Sequence, residues 1–369
     1  MCIRDSCHFG LESVLSGEIR RMGGEQITVA DGKVSFTGPE CMIARANLWL
    51  RTAERVLVKL GEFPAKTFDQ LFEGVKSLEL ERFIGSKDAF PVKGHSLNSE
   101  LKSIPDCQKI VKKAAVERLK QKYGISWFEE TGPVHQLQFL IFKDIATILL
   151  DTSGAGLHKR GYRKNSNEAP IKETLAAGIL DLIRIYPDSC FCDPFCGSGT
   201  FVIEAATKAL NIAPGLKRTF SVEKWGYLAP EVFQQERKRA FDLIRRDAPF
   251  EAYGSDVSPE AVELTRENCK KAGVSPRIRL KTADIADFVL PQGRVVIATN
   301  PPYGERMLEI KEAEALYRVM GSRFSGCRCA VISPHEEFER LFGRKADKRR
   351  KLYNGMLRCQ LYLYLSVEY

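Results

Sequence analysis

The sequence predicts an α/β protein whose C-terminal portion is a Rossmann-like, mostly parallel sheet preceded by two smaller α+β units. Three observations carry this expectation. From Gly154 onward, short apolar runs alternate with helical periods, and such alternation builds a parallel sheet because parallel strands need crossover connections. Near the C-terminus, Asn354-Gly355 separates two strand-like runs, a hairpin signal that adds a closing antiparallel pair. Before Gly154, a hairpin and isolated helices replace the regular alternation.

The first unit, residues 1–60, begins with Met1 to Ser6, which fit no element. A strand is expected just before Phe9-Gly10-Leu11-Glu12, and these six residues read instead as a truncated or artefactual start. Leu11, Val14, Leu15, Ile19 and Met22 follow a helical period. Residues 27–30 and 33–36 flank Asp31-Gly32 as the arms of a hairpin, 41–50 read as a helix and 53–60 as a strand. This succession fits a ferredoxin-like α+β unit. In the second unit, residues 61–153, a helix is expected at 68–77 and a short strand at 90–93. A long amphipathic helix starts near Pro105 and runs to about Gly124, followed by strands at 134–142 and 146–151 paired through Lys143-Asp144. The third unit, residues 154–369, holds strands at 189–193, 252–256, 278–281, 295–299 and 329–333, then hairpin arms at 351–353 and 358–367. Residues 214–250 interrupt it with Trp225 and a charged helix containing Arg237, Lys238 and Arg239.

Hydrophobic residues make up 44% of the chain, an ordinary share for a folded soluble protein. No apolar stretch approaches the ~18 residues of a membrane span; the longest, around 137–150, is broken by Lys143 and Asp144. The eleven cysteines, an odd count with no secretory h-region, indicate free thiols in a reducing compartment, hence the cytoplasm. Cys190, Cys192 and Cys196 cluster, as do Cys327 and Cys329, but neither group has C-x-x-C spacing, and the five histidines add no ligand pattern; no metal is expected. The net charge of +9 matters less than its concentration. One predicted helix carries Lys109, Lys112 and Lys113; a second patch holds Lys159, Arg160 and Arg163; a third spans Arg340 to Lys351. Each alone suits a solvated face, whereas three together favour a polyanionic partner, with these first six residues as its contacts.

Two motifs carry the chemistry. Asp193-Pro194-Phe195-Cys196-Gly197-Ser198-Gly199-Thr200 follows the first strand of the large sheet, and Asn300-Pro301-Pro302-Tyr303 ends the apolar run 295–299. Gly197 and Gly199 permit a tight turn and close approach of backbone to a ligand. The Asn300 amide oxygen and the Pro301 carbonyl can accept hydrogen bonds from a planar NH2, orienting a weakly nucleophilic exocyclic amine. Pro301-Pro302 stiffens the loop, and Tyr303 offers a flat face to a base. Asp256, closing the next strand, suits ribose hydroxyls, and Asp284 after the third strand suits an adenine amino group; each also suits a helix N-cap or turn.

These two motifs resemble the class I S-adenosylmethionine-dependent methyltransferases in their amino-methylating branch. Leu157 to Arg163 and Ala169 to Ala177 resemble the junction region of THUMP-domain RNA methyltransferases, and nearly the whole chain is similar to the bacterial enzymes that make N2-methylguanosine, including the N-terminal half of the large-subunit rRNA guanine methyltransferase. The resemblance implies that residues 61–153 are a THUMP RNA-binding domain and that 154–369 are a class I methyltransferase domain with a seven-stranded sheet. It implies S-adenosyl-L-methionine as cofactor, held by Pro170, Lys172, Asp193, Pro194, Phe195, Gly197, Gly199, Thr200, Asp256, Asp284 and Asn300. Asp193 would lie near the methionine amino group, and Asn300, Pro301, Pro302 and Tyr303 would form the catalytic turn. The partner would be RNA, rRNA (23S) ahead of tRNA. Class I enzymes usually place the ribose-binding acid soon after the glycine turn; here the 214–250 insertion intervenes. Competing readings are a nicotinamide dehydrogenase, which would leave Asn300 to Tyr303 unexplained; a DNA adenine-N6 methyltransferase, which would not need the basic N-terminal units; and a non-catalytic RNA-binding assembly factor.

Overall fold

The computed structural model describes residues 1–163, 170–304 and 307–365. The N-terminal half comprises β1 (Cys2–Cys7), α1 (Glu12–Arg21), β2 (Glu25–Ala30), β3 (Lys33–Thr37), α2 (Cys41–Trp49), β4 (Ala53–Pro64), α3 (Phe68–Lys76), β5 (Val92–Leu97), α4 (Ile104–Tyr123), β6 (Leu137–Phe142) and β7 (Ile145–Asp151). All seven strands join one sheet in the order β2-β3-β1-β4-β7-β6-β5. Strand β4 runs through the expected boundary at 60/61, pairing with β1 on one side and β7 on the other, so the first two units share a strand.

The opening residues correct the sequence reading. Cys2–Cys7 form an inner strand, paired antiparallel with both β3 and β4. Arg4-Asp5-Ser6 hid it, because a polar run carries no apolar alternation; the open edges of β3 and β4 supply the pairing that local propensity does not. Asp5 is fully buried and neither carboxylate oxygen has a partner. Burial, reinforced by Glu18, pushes its carboxyl well above the usual range.

Local signals explain the helices. The Ser103 hydroxyl caps α4 by accepting the Asp106 N–H, Pro105 sits in the first turn, and Gly124 ends the helix with φ +64°. Strand β5 starts two residues later than expected and extends to Leu97, pairing parallel with β6, because Lys93 and His95 alternate outward. The helices cover one face of this sheet, where Val56 and Val58 join the core. The other face is a trough of about 870 Å³, lined among others by Lys33, Arg55, Leu57, Lys93, His95 and Gln138.

The C-terminal half adds α5 (Glu173–Ile183), β8 (Cys190–Asp193), α6 (Thr200–Ala209), α7 (Pro230–Asp242), β9 (Glu251–Asp256), α8 (Pro259–Ala272), β10 (Ile278–Thr282), β11 (Val295–Thr299), α9 (Met307–Arg323), β12 (Arg328–Ser333), α10 (Phe338–Phe342), β13 (Lys348–Asn354) and β14 (Leu357–Tyr364). The expected last arm reached Val367; residues 366–369 and Ala169 lie outside the described residues. The sheet order is β10-β9-β8-β11-β12-β14-β13. Its first five strands are mutually parallel, and β14 pairs antiparallel with β12 and β13. Both faces are buried, as a parallel core requires. Phe191, Val296, Ala298, Ala330 and Leu361 pack under α5, α6 and α8. Their strand neighbours Cys192, Ile297, Cys329, Val331 and Tyr362 pack under α9 and α10.

The halves interlock. Leu11 belongs to the C-terminal core, and a Cβ on Gly178 would come within 2.3 Å of its methyl group. Arg350 donates to the Gly10 carbonyl at 2.7 Å. The insertion supplies the clamp: Phe220, Val222, Trp225 and Phe233 join the N-terminal core, Trp225 stacks on His135 at 4.4 Å, and Glu236 of α7 pairs with Arg45 at 2.6 Å.

Because the Asp5 carboxyl titrates higher when folded than when unfolded, its contribution to stability is fully present below the unfolded carboxylate range, near pH 4, and is lost as pH rises towards the folded value. Asp5→Val is therefore expected to raise the unfolding free energy at pH 8 by about 1–3 kcal/mol and by less at pH 4. Urea denaturation at the two pH values checks this, and a loss of stability at pH 8 would contradict it.

Candidate active site

Strands β8 and β11 are neighbours from which the chain departs in opposite directions, β8 towards β9 and β11 towards β12. A crevice opens at the C-terminal ends of strands at such a switch point. Both sequence motifs end there. Asp193 closes β8, 2% exposed, and its Oδ1 accepts the Phe195 N–H at 3.2 Å and the Thr299 hydroxyl at 2.7 Å. Burial, opposed by those two hydrogen bonds, pushes its carboxyl up to about 7.

The glycine turn folds as its residues require. Gly197 and Gly199 have φ of +52° and +82°, and a Cβ on Gly199 would meet the Thr265 methyl at 2.7 Å. A Cβ on Gly197 would meet nothing within 4 Å, so this backbone faces open space where a ligand can approach. The Gly197 N–H donates to Asp256 Oδ2 at 3.0 Å, and the Ser258 N–H to Asp256 Oδ1 at 3.1 Å. Asp256 thus ties the turn to the end of β9, while the Ser258 hydroxyl caps α8 by accepting the Ala261 N–H. Asp284 is exposed and accepts the Ala286 N–H in its own turn at 2.7 Å.

In the turn after β11, the Tyr303 hydroxyl donates to Asn300 Oδ1. Burial raises the Tyr303 phenol far above its ordinary value, so it stays a neutral donor. Tyr317 of α9 fixes the diproline turn by donating to the Pro302 carbonyl at 3.3 Å. A cleft of about 220 Å³ joins the two motifs, lined by Pro170, Asp193, Phe195, Gly197, Thr200 and Asn300 among others.

The remaining sequence-predicted residues divide. Pro194 is buried in the turn and Gly199 is packed against Thr265. Asp256 and Asp284 lie beyond the cleft lining, at neighbouring strand ends. Lys172 turns away and pairs with Glu54 at 3.5 Å. Lys109, Lys113 and Lys159 are exposed, and Lys112 is held by Glu130 and the Phe90 ring, 3.5 Å from its centroid. Arg160 and Arg163 do not face solvent as expected of RNA contacts. Arg160 is buried, donating to the Leu157 carbonyl at 2.7 Å and facing Glu204 at 3.6 Å. Arg163 donates to Thr200 Oγ1 and the Ile171 carbonyl and faces Glu173 at 3.6 Å. Buried acids from α5 and α6 turned this basic run inward, and a charge run does not reveal that. Sequence reasoning also passed over the trough cations Lys33, Arg55 and Lys93, which are dispersed over three strands; the outward Lys93-x-His95 alternation was the one available signal.

A doubly wound sheet with an Asp-glycine turn and an Asn-Pro-Pro-Tyr turn on adjacent strands at its switch point defines the class I methyltransferase architecture. Family comparison agrees. Residues 160–362 match the RMKL-like methyltransferase domain, 6–57 the RlmL ferredoxin-like domain and 65–151 the THUMP domain, so the chain belongs to the RMKL-like methyltransferase family. It is 44% identical to the putative RNA methyltransferase YpsC of Bacillus subtilis, over 97% of this chain and 94% of that protein. It is 35% identical to ribosomal RNA large subunit methyltransferase K/L of Psychromonas ingrahamii, over 95% of this chain and 48% of that protein; the chain thus spans about half of the K/L enzyme. Among solved structures, SMU.472, a putative methyltransferase complexed with SAH, superposes with a TM-score of 0.94 at 38% identity, covering 100% of this chain and 98% of that one.

Asp193 gives a measurable signature. Its folded carboxyl titrates near 7 against about 4 unfolded, so its contribution is fully present below pH 4 and lost as pH rises through 7. Asp193→Asn keeps the acceptor for Phe195 and Thr299 but removes the charge. Thermal unfolding across pH 4–8 is expected to show wild type losing up to about 4 kcal/mol relative to the variant; parallel curves would contradict the burial argument.

Proposed function

We propose that this protein is an RNA methyltransferase that moves a methyl group from S-adenosyl-L-methionine to the exocyclic N2 amine of a guanosine in structured RNA, with 23S rRNA as substrate class and the cytoplasm as its place of action. The observation that carries the reading is the single cleft shared by Asp193, Gly197 and Asn300. The RNA assignment draws on the THUMP match and on the names of the two relatives.

The residues present fit the cofactor. Asp193 is a buried carboxylate with no cation against it among the described residues, and an ammonium group beside it would favour its charged form. The open side of Gly197 admits close approach, and Pro170 lines the same cleft. Asp256 and Asp284 would take the ribose and adenine from the next two strand ends. Bound there, S-adenosyl-L-methionine supplies an electrophilic methyl group. Asn300 then orients the acceptor amine, accepting from one N–H so that the nitrogen lone pair is directed into the cleft. Its Oδ1 is engaged by Tyr303, so the incoming amine replaces the phenol as donor. The surplus proton on the methylated nitrogen passes to water, which removes the need for a strong base. We assign residues 1–60 to a ferredoxin-like unit, 61–153 to THUMP and 154–369 to catalysis, with β4 shared by the first two.

Asn300→Ala is expected to lower turnover about a hundredfold while S-adenosylhomocysteine affinity by calorimetry stays within twofold; equal loss of both would move the acceptor site elsewhere. Mass spectrometry of nucleosides from a deletion strain, followed by primer extension, tests the product and its position, and retention of every N2-methylguanosine would overturn the guanine assignment.

The exposed lysines test RNA engagement separately. Reversing Lys109, Lys113 and Lys159 to glutamate is expected to raise the RNA KM, flatten the salt dependence of binding by about one unit of log-log slope per lost contact, and leave donor affinity unchanged. An unchanged KM would exclude these lysines as phosphate contacts.

A further inference from the structure

One carboxylate from the N-terminal half is gripped by four side chains drawn from both halves of the chain. Glu54, near the start of β4, is one-fifth exposed at its side chain. Its oxygens accept from the Thr174 hydroxyl and lie 3.1 Å from His8 Nε2, 3.1 Å from His158 Nδ1 and 3.5 Å from Lys172 Nζ. Its own carbonyl accepts the Leu157 N–H at 2.8 Å. Burial alone would raise this carboxyl; the hydrogen bonds from His158, His8 and Thr174 outweigh burial and hold it far below the usual carboxylate range. Cys7 is the other titratable neighbour on β1, its thiol pushed up to about 12 by burial first and then by surrounding carboxylates including Glu12 and Glu54. His8, also of the N-terminal half, reaches the same segment, its Nε2 lying 3.3 Å from Thr174 Oγ1, and is itself held by Glu54.

The location gives the cluster a purpose. Lys172 is the N-cap position of α5 and Thr174 lies in its first turn. Immediately before them, Pro170 and Ile171 form a wall of the cleft. From the other side Arg163 holds the same segment through the Ile171 carbonyl and Glu173. Arg163 belongs to the C-terminal half, so Glu54 is the point at which the N-terminal half sets the position of that wall.

We propose that Glu54 is a positioning residue for the methyl-donor cleft, holding the Pro170–Ile171 wall in place through Lys172 and Thr174, with His8 and His158 bracing its carboxylate. The inference rests on the donor reading of the cleft. Two carboxylate oxygens, each able to accept more than one hydrogen bond, let Glu54 hold Thr174 and Lys172 at once; an amide of the same shape would offer one accepting oxygen and turn an NH2 group on the remaining donors.

The test is calorimetric titration of the full-length protein with S-adenosylhomocysteine, with Glu54→Gln beside wild type. The amide keeps the shape and loses the charge. Wild type is expected to bind roughly tenfold more tightly than the variant. Thr174→Val removes a hydroxyl through which Glu54 acts, so the double variant Glu54→Gln/Thr174→Val is expected to bind no more weakly than Glu54→Gln alone. A folded Glu54→Gln variant with wild-type affinity overturns the proposal. Losses in the two single variants that simply add in the double variant also overturn it, because independent packing defects add. Should Glu54→Gln fail to fold, Thr174→Val decides: weakened binding is expected, and wild-type affinity overturns the proposal. Failure of wild type itself to bind S-adenosylhomocysteine would instead sink the donor reading, and this inference with it.

Discussion

The hydrogen bond from the Thr299 hydroxyl to Asp193 Oδ1, 2.7 Å long and wholly buried, is the joint on which the site depends. It links the last residue of β11 to the last residue of β8, two strands held in register by parallel pairing of Val295–Ile297 with Cys190–Cys192. Residues beyond each strand inherit their position from that pairing: the glycine turn from one, Asn300 from the other. A buried carboxylate is costly, and with Phe195 and Thr299 as its hydrogen-bond donors Asp193 is only partly compensated. That incompleteness suits a group awaiting a cation. A fully satisfied aspartate there would hold the turn equally well and bind nothing.

Around this joint the chain spends much of its length fixing one half to the other. The 214–250 insertion looked from sequence like an interruption between the glycine turn and the acid that follows it. In the fold it is a strap: Trp225, Phe220 and Phe233 sit in the N-terminal core while α7 holds Arg45 through Glu236. Gly10 and Leu11 reach the other way, into the C-terminal core. The interface is thus apolar and reciprocal, unlike the polar contact of two domains on a linker. A rigid relation between the basic trough and the cleft follows, which fits a protein that must present one base of a large polyanion to a small pocket.

The parallel sheet was legible because its central strands β8, β11 and β12 are buried on both faces and read as apolar runs, two of them running straight into the Asp-glycine and Asn-Pro-Pro-Tyr turns. The N-terminal sheet was less so. Its helix-covered face shows as alternation, but β1 is hidden by Arg4-Asp5-Ser6, and β4 crosses what composition suggested was a boundary. At the site, Asp193, Gly197, Thr200 and Asn300 were legible from motif position, and the cleft brings them together. The orientation of Arg160, Arg163 and Lys172 was not. A long cation goes wherever a carboxylate waits, and Glu204, Glu173 and Glu54 lie between 10 and 118 residues away in sequence. Ion-pair direction is a tertiary property, and nothing in a local window encodes it.

The Tyr303–Asn300 contact shows how the cleft manages its own polarity. In the proposed reaction Asn300 would need a free acceptor to take a base amine, yet an unpaired amide oxygen in a half-buried turn costs about 1–3 kcal/mol. Here the phenol supplies a partner, and burial keeps it protonated as a donor throughout the physiological range. Exchanging one neutral donor for another is nearly free of net cost. On the proposed reading, the turn would stay ordered before substrate arrives and would lose little if the base displaced the hydroxyl. Pro301 and Pro302 contribute by limiting backbone freedom, and Tyr317 by holding the Pro302 carbonyl from α9. What would move on binding is then a side-chain hydroxyl rather than the loop, which would keep the acceptor nitrogen in line with the cleft that Asp193 and Gly197 line.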